Sequence, residues 1–255
     1  YDCGEEEIIA LFERPDNPPH YGSEHSLVAS IIHPRLFAEC GDGRAFKERY
    51  KATYYQRVKN GNFALQYGSG DRNADLTFGV PGAALKVRSR FAGQAKMNAS
   101  LLAYASKWGF VETMPDKTVN PKHGYPILCA RTERGGIKPT TPFNYKYSGT
   151  AMWCMQKAMV RVEEQLEEWR RQGFDGWMIL NVHDELLFDF PQYGDPVAEA
   201  KRQKETGKRG FRVSNLWRIC EIRRLMEQSG DDIGIPTPVE VTYHPVSWDK
   251  GVGIA

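Results

Sequence analysis

Apolar residues recur at alternating threes and fours from Met152 through Met155, Met159, Val162, Leu166 and Trp169. That spacing lines one face of a helix over 150–171. The period then changes. "WMILNV" (177–182) and "LLFDF" (186–190) are short β-type runs on either side of His183-Asp184-Glu185, which predicts two strands joined by a tight acidic turn. Helical patterns also cover 5–12, stopped by "RPDNPP", and 24–32, ended before Pro34. One long helix is predicted over 45–68, weakened at Gly61 and closed by the Gly68/Gly70 turn. Further helices are predicted over 94–109, closed by Gly109, and over 214–228. The Pro-rich stretch 110–130 carries "VET" and "YPILCA" and predicts a hairpin, and "PVEVTYH" (238–244) reads as a last strand. A mostly helical early half, followed by strands with helices between them, makes an α+β chain. No internal repeat or low-complexity tract interrupts it.

Composition narrows this picture only a little. The 255 residues suffice for one large or two modest domains with a real core. No apolar run nears the roughly 18 residues that span a bilayer, and no signal sequence opens the chain, so no membrane association is expected and the cytoplasm is the expected compartment. The five cysteines are scattered and form no CxxC pair, which points to neither a zinc site nor a disulfide framework and fits a reducing environment. The net charge of +2 does not announce a nucleic-acid binder. Locally, "KRQKETGKRGFR" (201–212) sets six Lys or Arg against one Glu, and both a solvated loop and a phosphate contact remain open.

Three features carry chemistry. Adjacent Asp184 and Glu185 repel each other unless a cation lies between them, and strand alternation would send them to opposite faces. Read alone, the same residues also fit an exposed acidic turn. Asp2 precedes three glutamates at a helix start, where acids suit the dipole anyway. Lys59, Phe63 and Tyr67, spaced by four, share one helix face, with Gly68 following at once. A cation beside flat rings suits a ligand with phosphates at one end and a planar base at the other, although a partly buried aromatic stripe with a snorkelling lysine has the same pattern.

The order of these features resembles the polymerase region of family A DNA polymerases, the group of bacterial DNA polymerase I and related phage replicases. "DCGEEE" is similar to motif A (D-x-S-x-x-E), and "KNGNFALQYG" to motif B on the fingers helix. "NYKYSGTA" is similar to the family's N-A-P-x-Q-G-T-A segment, and "NVHDELLFDFP" to motif C. "PVEVTYHPVSW" resembles the closing strand and terminal tryptophan. The resemblance covers nearly the whole chain. Departures imply a divergent, phage-type member: Gly4 replaces the motif A serine, Tyr55 replaces the motif B arginine, and Ser148 replaces a glutamine.

The resemblance implies a right-hand palm, an antiparallel sheet with helices, and an inserted, mostly helical fingers subdomain, with the thumb absent. The implied division is 1–24 palm start, 25–125 fingers and 126–255 palm. It implies template-directed transfer of a nucleotide from dNTP to a primer 3′-OH on primer-template DNA, with two Mg²⁺ ions (Mn²⁺ as a possible substitute). Asp2, Asp184 and the backbone carbonyl of Cys3 are the implied metal ligands, with Glu185 as a supporting acid. Lys59 would meet the triphosphate, with His25 and Arg57 beside it. Phe63 would pack on the sugar, Tyr67 and Gly68 would lie near the template base, and Glu7 would crowd the 2′ position. His183, Arg131 and Asn144 would contact DNA. Because the family's thumb and the strand leading into motif A precede Asp2, a second polypeptide carrying them is also expected. Two other readings stay open: a non-catalytic DNA-binding or structural polymerase subunit, and a single-subunit RNA polymerase.

Overall fold

A computed structural model describes residues 6–14, 16–207, 214–244 and 251–254. Asp2, Cys3, the second half of the basic stretch and the closing "PVSW" lie outside the described residues. The chain divides into two compact units: 1–115 with 123–150, and 116–122 with 151–255.

The first unit is mostly helical. After α1 (Glu6–Glu13), helix α2 (Glu24–Ile32) starts at Ser23, whose hydroxyl accepts a hydrogen bond from the Ser26 amide at 3.2 Å. Pro34 ends α2 and opens α3 (Pro34–Cys40), because proline suits the first helical turn and not the interior. Asp42 caps α4 (Gly43–Tyr50) by accepting from the Ala45 amide at 2.9 Å. The single helix expected over 45–68 is broken by a π-helical turn, Lys51–Tyr55, before α5 (Gln56–Gln66). Two helices that hydropathy did not foretell follow, α6 (Asp71–Phe78) and α7 (Ala83–Arg90). The Asp75 carboxylate joins them by accepting from the Gly82 and Ala84 amides at 2.7 and 2.8 Å, which holds that carboxyl below its ordinary range. Helix α8 (Ala92–Trp108) ends at Gly109, at φ 81°, and β1 (Phe110–Glu112) pairs antiparallel with β2 (Pro126–Leu128) as expected. Leu27, Val28, Phe46, Val58, Leu65, Phe78 and Phe91 form the core.

The weakness expected at Gly61 is absent. Gly61 sits inside α5, where a β-carbon would come within 2.3–2.6 Å of the buried Phe78 ring. It is a close-packing position that lets α5 and α6 touch.

Helix α9 (Thr141–Arg171) starts nine residues earlier than its pattern suggested and runs from the first unit into the second. Of the predicted stripe, Val162, Leu166 and Trp169 are buried and Met152 is exposed. The buried half packs with Phe174, Ile222 and Leu225, and with Met178 and Phe188 of the hairpin β3 (Trp177–Val182) and β4 (Glu185–Asp189). Residues 201–206 of the basic stretch belong to α10 (Pro196–Thr206) and not to a loop, because Asp195 and Pro196 give that helix a cap and a first turn. Helix α11 (Leu216–Asp231) follows, and β5 (Thr242–Tyr243) with β6 (Val252–Gly253) forms a short ladder, so "PVEVTYH" is strand over only two residues. The described strands make three separate two-stranded sheets.

A buried charge network pins 116–122 to this unit. Lys157 Nζ lies 2.6 Å from both Asp116 and Asp232, and Arg161 lies 2.5 Å from Asp232. Burial pushes the Asp116 carboxyl up, but bonds from Lys157, Thr118 and Trp153 outweigh it and hold the group well below its usual range.

Gly61→Ala tests the packing role. Overpacking should cost about 1–3 kcal/mol, more than the ~1 kcal/mol that alanine gains inside a helix. A urea melt should show net destabilisation. An unchanged or higher midpoint would return Gly61 to the role of a flexible point.

Candidate functional site

Helix α5 presents the predicted row. Lys59 Nζ lies 5.8 Å from the Phe63 ring centre, and Phe63 stacks with Tyr67 at 6.3 Å and 30°. Both rings are accessible, at 36% and 41%. Phe63 and Tyr67 therefore lie outside the core, and their partial exposure fits both a ligand-facing row and the partly buried stripe with a snorkelling lysine. His25 on α2 joins them, edge-on to Phe63 at 5.0 Å and to Tyr55 at 6.5 Å. Beyond Tyr67 the chain turns at Gly68, at φ 78°, where a β-carbon would stand 3.4 Å from the Pro139 carbonyl oxygen. Tyr67 meets Phe143 edge-on at 6.4 Å.

Polar groups fix this arrangement. The Asn62 amide nitrogen lies 3.3 Å from His25 Nδ1, and Gln66 Nε2 donates to both Glu24 oxygens at 2.7 and 2.9 Å. With the Asn62 amide nitrogen turned toward it, Nδ1 of a neutral His25 accepts and the ring proton sits on Nε2, an orientation that leaves the buried Asn62 Oδ1 without a partner. Burial lowers the His25 pKa, and the charges of Lys59 and Lys47 lower it further. Burial raises the Glu24 pKa, against hydrogen bonds from Asn62 and Gln66. Sequence reasoning missed Glu24, Asn62 and Gln66. One signal was present: Val58, Gly61, Asn62 and Leu65 form the buried stripe of α5, so Asn62 is a polar residue in an apolar slot.

Not every expected residue joins the cluster. Arg57 stands 200° around α5 from Lys59 at about 100° per residue, and its guanidinium packs against Gly79. Glu7 pairs with Arg90 at 2.7 Å. Arg131 Nη1 donates to the Gly135 carbonyl at 2.8 Å within its own turn, and Asn144 accepts from the Ser148 hydroxyl at 2.7 Å.

These geometries can be set beside known proteins. No family model and no curated protein matches the sequence. Among solved structures, the chain superposes on the POL domain of Pol1 from M. smegmatis in complex with DNA primer-template and dNTP, with a TM-score of 0.56 and 17% identity. The match covers 90% of this chain and 34% of that one, so the chain spans about a third of its length. The fold is polymerase-like.

In the second unit, His183 and Asp184 form the two-residue turn between β3 and β4, and His183 takes a positive φ of 56°. Asp184 is a turn residue and only Glu185 belongs to a strand, so simple strand alternation does not govern the pair. Asn181 braces the turn by donating to the His183 and Glu185 carbonyls at 3.4 and 3.3 Å. All three tip residues are exposed, and neither carboxylate has an ionic partner among the described residues. No cluster of three or more potential metal ligands occurs among the described residues, and no helix among them is long and apolar enough to cross a membrane.

His25 gives a direct test of the geometry. Its lowered pKa means that folding favours the neutral ring. That stability is complete above about pH 6.5 and is lost as the pH falls through the folded-state pKa, because the unfolded chain takes up its proton first. Lys59→Ala should move the His25 titration upward in an NMR pH series. An unmoved midpoint would place the Lys59 charge away from the ring.

Proposed function

We propose that the chain is the palm-and-fingers portion of a DNA-directed DNA polymerase, transferring nucleotides from dNTP to a primer 3′-OH. The observation that supports this most is the accessible face of α5, where a lysine, two rings and a neutral histidine converge within a polymerase-like fold. In this reading 25–125 serves as fingers, and 1–24 with 126–255 as palm.

The reaction forms a bond from the primer oxygen to the α-phosphorus and breaks the α–β bridge, releasing pyrophosphate. Lys59 neutralises charge that gathers on the leaving group. The Nε2 proton of His25 is free to donate to a phosphate oxygen. Phe63 packs against the sugar, and Tyr67 stacks beside the template base at the Gly68 turn. His183 meets the primer terminus, Arg131 and Asn144 contact the DNA strands, and Glu7 restricts the 2′ position.

The exposed carboxylate of Asp184, without a cationic partner among the described residues, is the hard oxygen donor that Mg²⁺ prefers. Asp2 and the Cys3 carbonyl, outside the described residues, are the further ligands that the resemblance implies, and Glu185 beside Asp184 is the supporting acid. When bound, paired Mg²⁺ ions supply charge neutralisation at the attacking and leaving oxygens. A specific observation favours a second reading, a non-catalytic DNA-binding subunit: Tyr55, where the family has an arginine, is buried and carries no charge.

Primer extension with dNTPs and Mg²⁺ separates the two. Because the match covers a third of the Pol1 chain, the assay is run with this chain alone and beside a polypeptide supplying the remaining polymerase region. Extension is expected, and Asp184→Asn should reduce it by more than about tenfold, ~1.4 kcal/mol of barrier. A variant retaining more would move the metal site elsewhere. DNA binding without extension in either sample would favour the non-catalytic reading.

A further inference from the structure

The π-turn changes which side chains face the candidate site. In an uninterrupted α-helix, at about 100° per residue, Lys47 would stand roughly 120° around the axis from Lys59. In a π-turn each amide reaches one residue further back, so the turn is wider and each residue rotates less. Five such residues, Lys51–Tyr55, withdraw much of that offset and swing α4 towards the face used by α5. The outcome is visible in the contacts. Lys47 Nζ lies 5.8 Å from the Tyr55 ring centre, and Lys59 Nζ lies 5.8 Å from the Phe63 ring centre. His25 sits edge-on to both rings, so each of these two ring neighbours of His25 has a lysine beside it.

We propose that Lys47 is a further phosphate-binding residue of this site, which α4 delivers through the π-turn to the position that Tyr55 leaves uncharged. The inference rests on the nucleotide-binding reading of α5. Lys47 is exposed and has no carboxylate partner among the described residues. Two lysines converging on a neutral histidine repel each other until an anion arrives. An anion whose charge is spread over three phosphates engages both, whereas one phosphate is served by Lys59 alone. The Tyr55 ring face lies within cation–π reach of the Lys47 ammonium and favours its position there. Lys47 therefore selects triphosphates over monophosphates.

The test is calorimetric titration of the chain with a dNTP, the corresponding dNMP and inorganic tripolyphosphate, all with Mg²⁺. The proteins are wild type, Lys47→Ala, Lys47→Arg and Lys59→Ala, each checked for native circular dichroism. Lys47→Ala should weaken dNTP and tripolyphosphate binding by about tenfold, the scale of one lost charge-assisted contact. It should leave dNMP affinity within about twofold and flatten the salt dependence, and Lys47→Arg should recover most of the loss. Equal losses for dNTP and dNMP would overturn triphosphate selection. A loss in Lys59→Ala with none in Lys47→Ala would overturn the role of Lys47 and leave the polymerase reading standing. A wild-type chain that binds neither dNTP nor tripolyphosphate would overturn both.

Discussion

Helix α5 is tied to α2 by polar side chains placed where an apolar core would ordinarily lie. Asn62 is buried in the α5 stripe, and its amide meets His25 while Gln66 holds both oxygens of Glu24. Losing either contact would strand further polar groups at about 1–3 kcal/mol each, beyond the buried Asn62 Oδ1 that already lacks a partner, so the two helices tolerate few alternative alignments. The geometry of the candidate site follows from that constraint. With Nδ1 of His25 engaged by Asn62, Nε2 is the nitrogen left for a ligand, and the rings of Phe63 and Tyr67 lie on the accessible side of the helix.

The same helix is served from two other directions. Gly61 removes a β-carbon where the Phe78 ring presses on α5, which lets the core reach the back of the helix. The π-turn resets the rotation between α4 and α5 and brings Lys47 over Tyr55. Two lysines, from α4 and α5, are therefore gathered around a neutral histidine from α2, although the chain as a whole is close to neutral.

In the second unit a buried cation is shared. Lys157 lies between Asp116 and Asp232, and the Lys117 amide also donates to the Asp232 carbonyl at 2.8 Å. Removing one member of such a network leaves an uncompensated buried charge, which is why its parts act together. The hairpin tip carries the opposite arrangement. Asp184 and Glu185 stay exposed, while Asn181 spends its amide on the turn's own carbonyls. Structural carboxylates are buried and paired here, and the candidate metal-binding carboxylates are left open.

Local periodicity carried the helices α1, α2, α8, α9 and α11, the hairpin around His183-Asp184, and the shared face of Lys59, Phe63 and Tyr67. Those features depend on residues three, four or two positions apart, and such spacings are written in the chain itself. The helices α6 and α7 were less legible, because a carboxylate seven to nine residues from its amide partners joins them and no regular apolar stripe announces them. Contacts between distant residues were decided only by tertiary structure. Asn62 and His25 are 37 positions apart, and Glu24 and Gln66 are 42 apart. Glu7 and Arg90 meet across still more chain. No periodicity encodes such pairs, since they arise when packed helices bring polar groups together that must then satisfy one another. Gly61 shows the limit most directly: its sequence meaning, a weak point in a helix, was reversed by a phenylalanine ring arriving from the next helix.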